Sequence, residues 1–198
     1  MSGEIAVNVW LRGGWAMDFY LGQVTRRHDD VDWFAWNDDL PRLVAALTRR
    51  GWREIGTHPI EQQRDLVRSD VELGFACLAR GADEGVEVGG GPYAGAAWPA
   101  RMLDDALLGA VGTVQCLVIA PAAQIEIKRM MPVWVPGMRR RPKDAQDGNS
   151  AGTHSPGPTG RTRTCSSSPS HYRAALTCSL ISPTHPNTSR ASTCGGQA

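Results

Sequence analysis

Hydrophobic positions in the first 147 residues follow two periods. Alternating or β-branched runs predict strands at 5–11, 31–36, 52–55, 71–77, 86–88 and 115–119. Apolar positions at helical spacing predict helices at 15–21, 40–47 and 121–130; Pro41 suits the first turn of the second helix and Gly51 lies just past its end. The pattern predicts an α+β domain, a small mixed sheet with helices on one side.

The composition changes abruptly at about residue 148. From there to residue 198 the chain has no Asp, Glu, Lys or Trp and is mostly Ser, Thr, Pro, Gly, Ala and Arg. Such a segment cannot bury enough apolar surface to offset its ordering entropy. We therefore predict a domain over 1–147 and a largely disordered, low-complexity tail over 148–198. A natural tail and a frame-shifted C-terminus both explain the change, and the other reading frames of the coding DNA distinguish them.

Charge and hydropathy exclude several classes of protein. The formal net charge of +1 gives no reason to expect a nucleic-acid or membrane partner. No window approaches the roughly 18–20 apolar residues of a membrane-spanning helix, and the N-terminus lacks a signal-peptide pattern, so we expect a cytoplasmic protein. Five cysteines without C-x-x-C spacing argue against disulfides and zinc. Cys77 and Cys116 lie in apolar runs and are expected to be buried thiols.

Candidate chemistry is concentrated near the N-terminus. Gly13 and Gly14 end the first predicted strand and open a short helix, a turn at which backbone N–H groups can approach a phosphate. Asp30 and Asp32 occupy alternate positions of the next predicted strand and therefore project from the same face. Paired carboxylates of this kind suit Mg²⁺, which takes one or two protein carboxylates together with water and phosphates. The combination outlines a phosphoryl- or nucleotidyl-transfer site.

The segments RGGWAMD at 12–18 and LGQVTRRHDDVD at 21–32 carry a family resemblance. They resemble the aminoglycoside 2″-adenylyltransferase family, which shows a Gly-Gly-Trp-Ala opening, a Leu-Gly-x-x-Thr-Arg stretch and a His-x-Asp-hydrophobic-Asp close. The resemblance covers about twenty positions and implies a polymerase-β-like nucleotidyltransferase fold and an enzyme that moves AMP from ATP to an antibiotic hydroxyl. It places the triphosphate on Gly13 and Gly14 and Mg²⁺ on Asp30 and Asp32.

Sites of this class usually add a third carboxylate from a neighbouring strand. Glu72 is our candidate for this catalytic role, with Asp70 and Glu87 as alternatives; for each, the acidic outer face of a strand explains the residue equally well. Lys143, in a segment that resembles a Lys-Asp-x-x-Asp element of related proteins, is the candidate for a triphosphate contact, and Lys128 is its alternative.

His28 invites a role as general base, but a structural hydrogen bond is the favoured interpretation. We expect Trp33, Trp36 and Trp98 to serve mainly in packing.

This sequence departs from the family at both ends. Family members usually have a helix before the Gly-Gly strand and further helices after the Lys-Asp element, and neither is recognisable here. Three functions therefore stay open: a Mg²⁺-dependent aminoglycoside adenylyltransferase that confers antibiotic resistance, a nucleotidyltransferase with a lincosamide or protein acceptor, and an inactive homologue that at most binds ATP and Mg²⁺. The expected partners are ATP and an aminoglycoside-like small molecule. The oligomeric state stays open.

Overall fold

The computed structural model of the protein describes residues 7–134. The strands are β1 (Val9–Leu11), β2 (Asp30–Trp36), β3 (Arg53–Ile55), β4 (Gln63–Arg68), β5 (Val71–Arg80), β6 (Val86–Val88), β7 (Leu107–Val111) and β8 (Val114–Val118). The helices are α1 (Gly13–Leu21), α2 (Leu40–Thr48) and α3 (Pro121–Trp134), with one 3₁₀ turn at Gly91–Tyr93.

The eight described strands form one mixed sheet in the order β3-β4-β5-β2-β1-β8-β7, with β6 paired to the end of β5. At its centre, β2 pairs with β5 in parallel and with β1 in antiparallel orientation. Because β1 and β2 are antiparallel, the end of β1 lies beside the start of β2. Because β2 and β5 are parallel, their first residues also lie side by side. The Gly-Gly turn and the starts of both strands are thus brought to the same edge of the sheet.

The two faces of the sheet carry separate apolar clusters. On one face, the inward residues of β2 and β5 pack against helices α1 and α2, through Ala16 of α1 and Leu40, Val44 and Leu47 of α2. These three α2 positions recur at helical spacing, which is why the sequence pattern located the helix. On the opposite face, Trp10, Phe34 and Leu78 form a second cluster to which α3 contributes Ala123 and Ile127.

The predicted fold class, a small mixed α+β sheet, is confirmed. Helices α1 and α2 lie on one side as expected, whereas the buried residues of α3 join the cluster on the other face. Two strands, β4 and β7, were not predicted. Cys77 and Cys116 are buried free thiols, as expected. No helix between residues 7 and 134 combines the length and apolar character needed to cross a bilayer.

The predicted domain boundary at residue 147 and the tail at 148–198 lie outside the described residues. They stay predictions, as does the proposed origin of the tail in a shifted reading frame.

Candidate active site

The turn after β1 holds Gly13 against the start of β2. The Arg12 amide donates to the Asp32 carbonyl at 2.9 Å, which continues the β1–β2 pairing into the turn. Gly13 has a φ of +75°, a conformation that favours glycine. A Cβ on Gly13 would lie 2.7 Å from Oδ2 of Asp32. The site therefore places a glycine backbone directly against the Asp32 carboxylate, and a larger residue would displace it.

The next residue, Gly14, is packed against the loop that precedes β2. A Cβ on Gly14 would collide with the Arg26 guanidinium and with the ring of His28. Both glycines lie in the first turn of α1, where backbone N–H groups have no partner within the helix and attract anions. The Arg26 guanidinium beside the turn adds a positive charge.

His28 is held by a buried carboxylate from α1. Its Nε2 lies 2.7 Å from Oδ2 of Asp18, and the side chains of His28 and Asp18 are 3% and 0% exposed. Oδ1 of Asp18 accepts from the Thr25 amide at 3.1 Å and from the Thr25 hydroxyl at 2.6 Å. Since a carboxylate oxygen only accepts, Nε2 of His28 carries the hydrogen in this pair. The favoured structural interpretation of His28 is in agreement with this geometry.

Asp18 is the residue that sequence reasoning missed here. It lies inside the segment that carried the family resemblance, but one acidic residue in a short and otherwise apolar helix gives no local signal of which side is buried. Its three donors come from 7 and 10 residues further along the chain. The consequence is a loop whose shape, and hence the position of Arg26 and His28 around Gly14, depends on one buried carboxylate.

Asp30, Asp32 and Glu72 lie on the same face at the start of β2 and β5. Asp30 is directly opposite Glu72 in the parallel register, and Asp32 is opposite Gly74. Asp30 and Glu72 are exposed and Asp32 is half-buried. Among residues 7–134, no hydrogen bond or ion pair engages the carboxylates of Asp30 or Asp32. Adjacent carboxylates without a cationic partner repel one another, so this edge is electrostatically suited to a divalent cation.

The donor set is compatible with Mg²⁺. No cluster of three or more His, Cys, Asp or Glu side chains suited to hold a metal occurs in the described part of the chain. Mg²⁺ does not need such a cage, because it commonly binds one or two carboxylates and keeps waters and substrate phosphates as its other ligands. Asp30 and Asp32, next to the turn at Gly13, are the residues that would hold it.

The two alternatives to Glu72 lie elsewhere. Glu87 is on β6 opposite Ala79, seven residues along β5 from Glu72, or about 23 Å at the usual rise of a strand. Asp70 is exposed in the turn between β4 and β5, outside both strands. Of the three acids considered from the sequence, only Glu72 is adjacent to Asp30.

A second buried acid, Asp65 on β4, lies across Gly74 from Asp32. Oδ1 of each aspartate is 3.4 Å from the point at which a Cβ on Gly74 would sit. The two Oδ1 atoms are therefore separated by no more than twice 3.4 Å. Asp65 is 2% exposed. Its oxygens accept from Nε2 of Gln63 at 2.6 Å, from the His58 ring at 2.8 Å and from the Thr57 hydroxyl. Asp65 was not a candidate from the sequence because β4 itself was not predicted.

Hydrogen bonding decides the ionisation of Asp65. Burial raises the pKa of its carboxyl group, but the hydrogen bonds from Thr57, His58 and Gln63 together outweigh that effect and leave the pKa below its ordinary value. Asp65 is thus an ionised acid with its oxygens already occupied, whereas Glu72 is an acid whose carboxylate faces solvent.

Helix α3 reaches the same turn from the other side of the sheet. Nε2 of the buried Gln124 donates to the Gly13 carbonyl at 2.6 Å. Lys128, one turn further along α3, shares that face of the helix. This placement favours Lys128 as a triphosphate contact, while Lys143, the first choice from the sequence, lies outside the described residues.

The tryptophans considered from the sequence serve in packing, and the charged residues next to β2 are solvated or paired with one another. Trp33 and Trp98 are buried in the two apolar clusters, and Trp36 makes an edge-on contact with Trp10. Arg27 is 93% exposed, 3.9 Å from Asp29. Asp39 is at the N-cap position of α2 but caps no backbone amide; its carboxylate accepts from Arg42 instead.

Comparisons with known proteins agree with the family that the sequence resembles. The family model described as aminoglycoside-2''-adenylyltransferase matches residues 1–120, more than half of the chain. A stretch of 31 residues is 62% identical to 2''-aminoglycoside nucleotidyltransferases of Escherichia coli and Klebsiella pneumoniae. That stretch is 16% of this chain and 18% of either relative, so the matched region spans less than a fifth of the curated relatives.

Solved structures share the fold. The crystal structure of ANT(2")-Ia in complex with adenylyl-2"-tobramycin has a TM-score of 0.58 at 24% identity, over 73% of this chain and 78% of that one. Lincomycin-bound LnuA, a lincosamide antibiotic adenylyltransferase, has a TM-score of 0.53 at 18% identity, over 74% and 87% of the two chains. At these identities the likeness shows the nucleotidyltransferase fold, as the sequence predicted. The family model covers more than half of the chain, including the Gly13 turn and the starts of β2 and β5, and the chain therefore belongs to the aminoglycoside-2''-adenylyltransferase family.

Proposed function

We propose that the protein is an antibiotic-modifying nucleotidyltransferase that transfers AMP from ATP to a hydroxyl group of an aminoglycoside. One observation carries the proposal: the Asp30 and Asp32 carboxylates, without a cationic partner among residues 7–134, lie beside the Gly13 turn at the N-terminus of α1. A pair of acids next to an anion-binding turn is what a metal–triphosphate complex requires. Family membership supports the class of reaction.

The turn and its surroundings would bind the triphosphate. Gly13 and Gly14 lie in the first turn of α1, where backbone N–H groups have no partner within the helix and the helix dipole favours an anion. Arg26 lies next to Gly14 and Lys128 is on the α3 face that contacts Gly13, so both can neutralise phosphate charge. These groups would hold the nucleotide with its α-phosphorus toward the acidic edge, and positioning of this kind supplies much of the rate in phosphoryl transfer.

Asp30 and Asp32 would hold Mg²⁺ between the nucleotide and the acceptor. When bound there, Mg²⁺ supplies charge neutralisation for the phosphates and lowers the pKa of a coordinated hydroxyl. The aspartates themselves would orient that ion because strand β2 holds both on one face, and the Gly13 backbone lies close to the Asp32 carboxylate. The paired arrangement makes both residues necessary, since either acid alone provides only half of the protein ligands.

Glu72 is the acid proposed to receive the proton of the attacking hydroxyl. It is exposed at the same edge, opposite Asp30, and no hydrogen bond among the described residues occupies its carboxylate. Asp65 is less suited to that role because three donors occupy its oxygens. A general base needs a free oxygen beside the reacting hydroxyl, and the unoccupied carboxylate of Glu72 at this edge supports the proposal.

Pyrophosphate release tests the proposal. Full-length protein is incubated with ATP and Mg²⁺ and with aminoglycosides, a lincosamide or no acceptor, and pyrophosphate is followed continuously. We expect aminoglycoside-dependent release that chelation of Mg²⁺ abolishes. Pyrophosphate release with the lincosamide but with no aminoglycoside would show that the acceptor is a lincosamide. ATP binding without pyrophosphate release for any acceptor would identify an inactive homologue.

Matched variants separate the site from general damage. Asp32→Asn and Glu72→Gln should each lower the rate at least about 100-fold, the usual scale for losing a metal ligand or a general base. Asp29→Asn, next in sequence to Asp30 but 89% exposed on its side chain, should retain the wild-type rate. Equal losses in all three variants would contradict the assignment of the site.

A further inference from the structure

One buried side chain next to the site has an unused hydrogen-bonding atom. Gln124 lies in the first turns of α3 and is 2% exposed. Its Nε2 donates to the Gly13 carbonyl at 2.6 Å, a contact between residues 111 positions apart in the chain. Its Oε1 is buried and accepts no hydrogen bond from the part of the chain that the structure describes. Buried polar atoms are nearly always paired, so this oxygen marks a place where a further donor is needed.

The orientation of the amide is fixed. Rotating the Gln124 side-chain amide by half a turn would bring Oε1 against the Gly13 carbonyl, and two acceptors cannot form a hydrogen bond. The donor end is therefore committed to the turn. Oε1 belongs to the same amide group as Nε2, so this acceptor also lies close to the Gly13 turn.

We propose that Oε1 of Gln124 accepts a hydrogen bond from a ribose hydroxyl of the bound nucleotide, while Nε2 holds the Gly13 turn. This rests on the proposed function, which puts the triphosphate on that turn. Phosphate oxygens ionised at neutral pH have no hydrogen to donate. The ribose is attached directly to the α-phosphate and carries hydroxyl donors, which makes it the nearest part of a nucleotide able to satisfy this oxygen. Gln124 is thus a positioning residue for the turn and a determinant of preference for ribonucleotides.

Nucleotide binding with deoxy analogues tests this without reference to turnover. Equilibrium dialysis gives Kd for ATP, 2′-deoxy-ATP and 3′-deoxy-ATP, each with Mg²⁺, for the full-length wild type, Gln124→Met and Gln115→Met. Gln115 is an exposed glutamine on β8 and provides the matched control. Wild type and control should bind at least one deoxy analogue about five- to tenfold more weakly than ATP, the size of one net hydrogen bond. Gln124→Met should bind ATP and that analogue equally.

The outcomes separate the two levels of the proposal. Equal affinity of the wild type for ATP and both analogues overturns the role of Gln124 and leaves the proposed function intact, and this measurement needs no variant to fold. If Gln124→Met still binds ATP more tightly than the deoxy analogue, the role of Gln124 is also overturned, because another group then contacts the ribose hydroxyl. A wild type that binds no ATP at all overturns both the proposed function and this inference.

Discussion

Truncating the buried carboxylate of Asp18 should unfold the loop that shapes the phosphate turn. In Asp18→Ala, the Thr25 amide, the Thr25 hydroxyl and Nε2 of His28 lose their common acceptor at once. Thr25 is exposed, so water can replace the acceptor for its two donors. The His28 side chain is only 3% exposed and stays buried without a partner. The damage should therefore come mainly from His28.

The magnitude follows from that distinction. A buried donor left unpaired costs about 1–3 kcal/mol, more when the lost partner was charged, whereas a solvated donor costs little. Adding the packing lost with the carboxylate, we expect Asp18→Ala to lower the free energy of unfolding by about 3 kcal/mol. For a folded part of this size, that corresponds to a fall in Tm of roughly 12 °C. Asp18→Asn should lose less, because an amide still offers one acceptor to Thr25.

Urea unfolding followed by circular dichroism measures the effect, with Asp29→Ala as the control for removing an acid from the same segment. The Asp29 side chain is 89% exposed and should contribute less than about 0.5 kcal/mol. A loss in Asp18→Ala that equals the loss in Asp29→Ala would refute the buried network as a source of stability. Equal losses in Asp18→Asn and Asp18→Ala would refute the role of the remaining acceptor.

Three further predictions concern the surroundings of the site. Gly13→Ala, strained at a φ of +75° and directed at Asp32, should cost about 1–2 kcal/mol and slow transfer about 100-fold, whereas Gly56→Ala, with open space around it, should change neither in parallel melting and rate measurements. The pKa of Asp65 is held below its ordinary value, so its contribution to stability is present above about pH 4 and is lost as the pH falls through the folded-state pKa; Asp65→Asn should flatten that acid limb in unfolding measured from pH 6 to 2.5. Burial raises the pKa of the Cys77 thiol to about 12, so the thiol should be unreactive in the native protein. In a variant with the cysteines beyond residue 148 replaced by serine, a thiol reagent should react fully in urea and only slowly with the native protein. Rapid reaction of the native protein would contradict this burial.

The sequence was informative where chemistry and periodicity coincide. Alternation in β2 placed Asp30 and Asp32 on one face, and the glycine pair located the turn beside them, because these relations depend only on local geometry. Helix α2 was predicted nearly to its ends for the same reason, since its buried positions recur at helical spacing.

Long-range pairings were not accessible in the same way. Asp65 lies beside Asp32 only because β4 pairs with β5 and β5 with β2, and β4 has an irregular polar pattern that predicts no strand. Gln124 reaches Gly13 across 111 residues, and nothing in its neighbourhood distinguishes it from an ordinary helical glutamine. Asp18 was similarly hidden, because burial of an acid depends on donors supplied by a later loop.

The most direct test of nucleotidyl transfer at Asp30 and Asp32 follows the α-phosphate label of ATP into the product. Wild type, Asp30→Asn, Asp32→Asn and Asp29→Asn are incubated with α-labelled ATP, Mg²⁺ and a panel of aminoglycosides, and the products are separated and identified by mass. We predict that an aminoglycoside gains one labelled AMP with wild type and Asp29→Asn, and that both site variants fail to transfer it while still folding. Label transfer that survives in Asp30→Asn and Asp32→Asn, or a wild type that transfers none to any acceptor, would contradict the account.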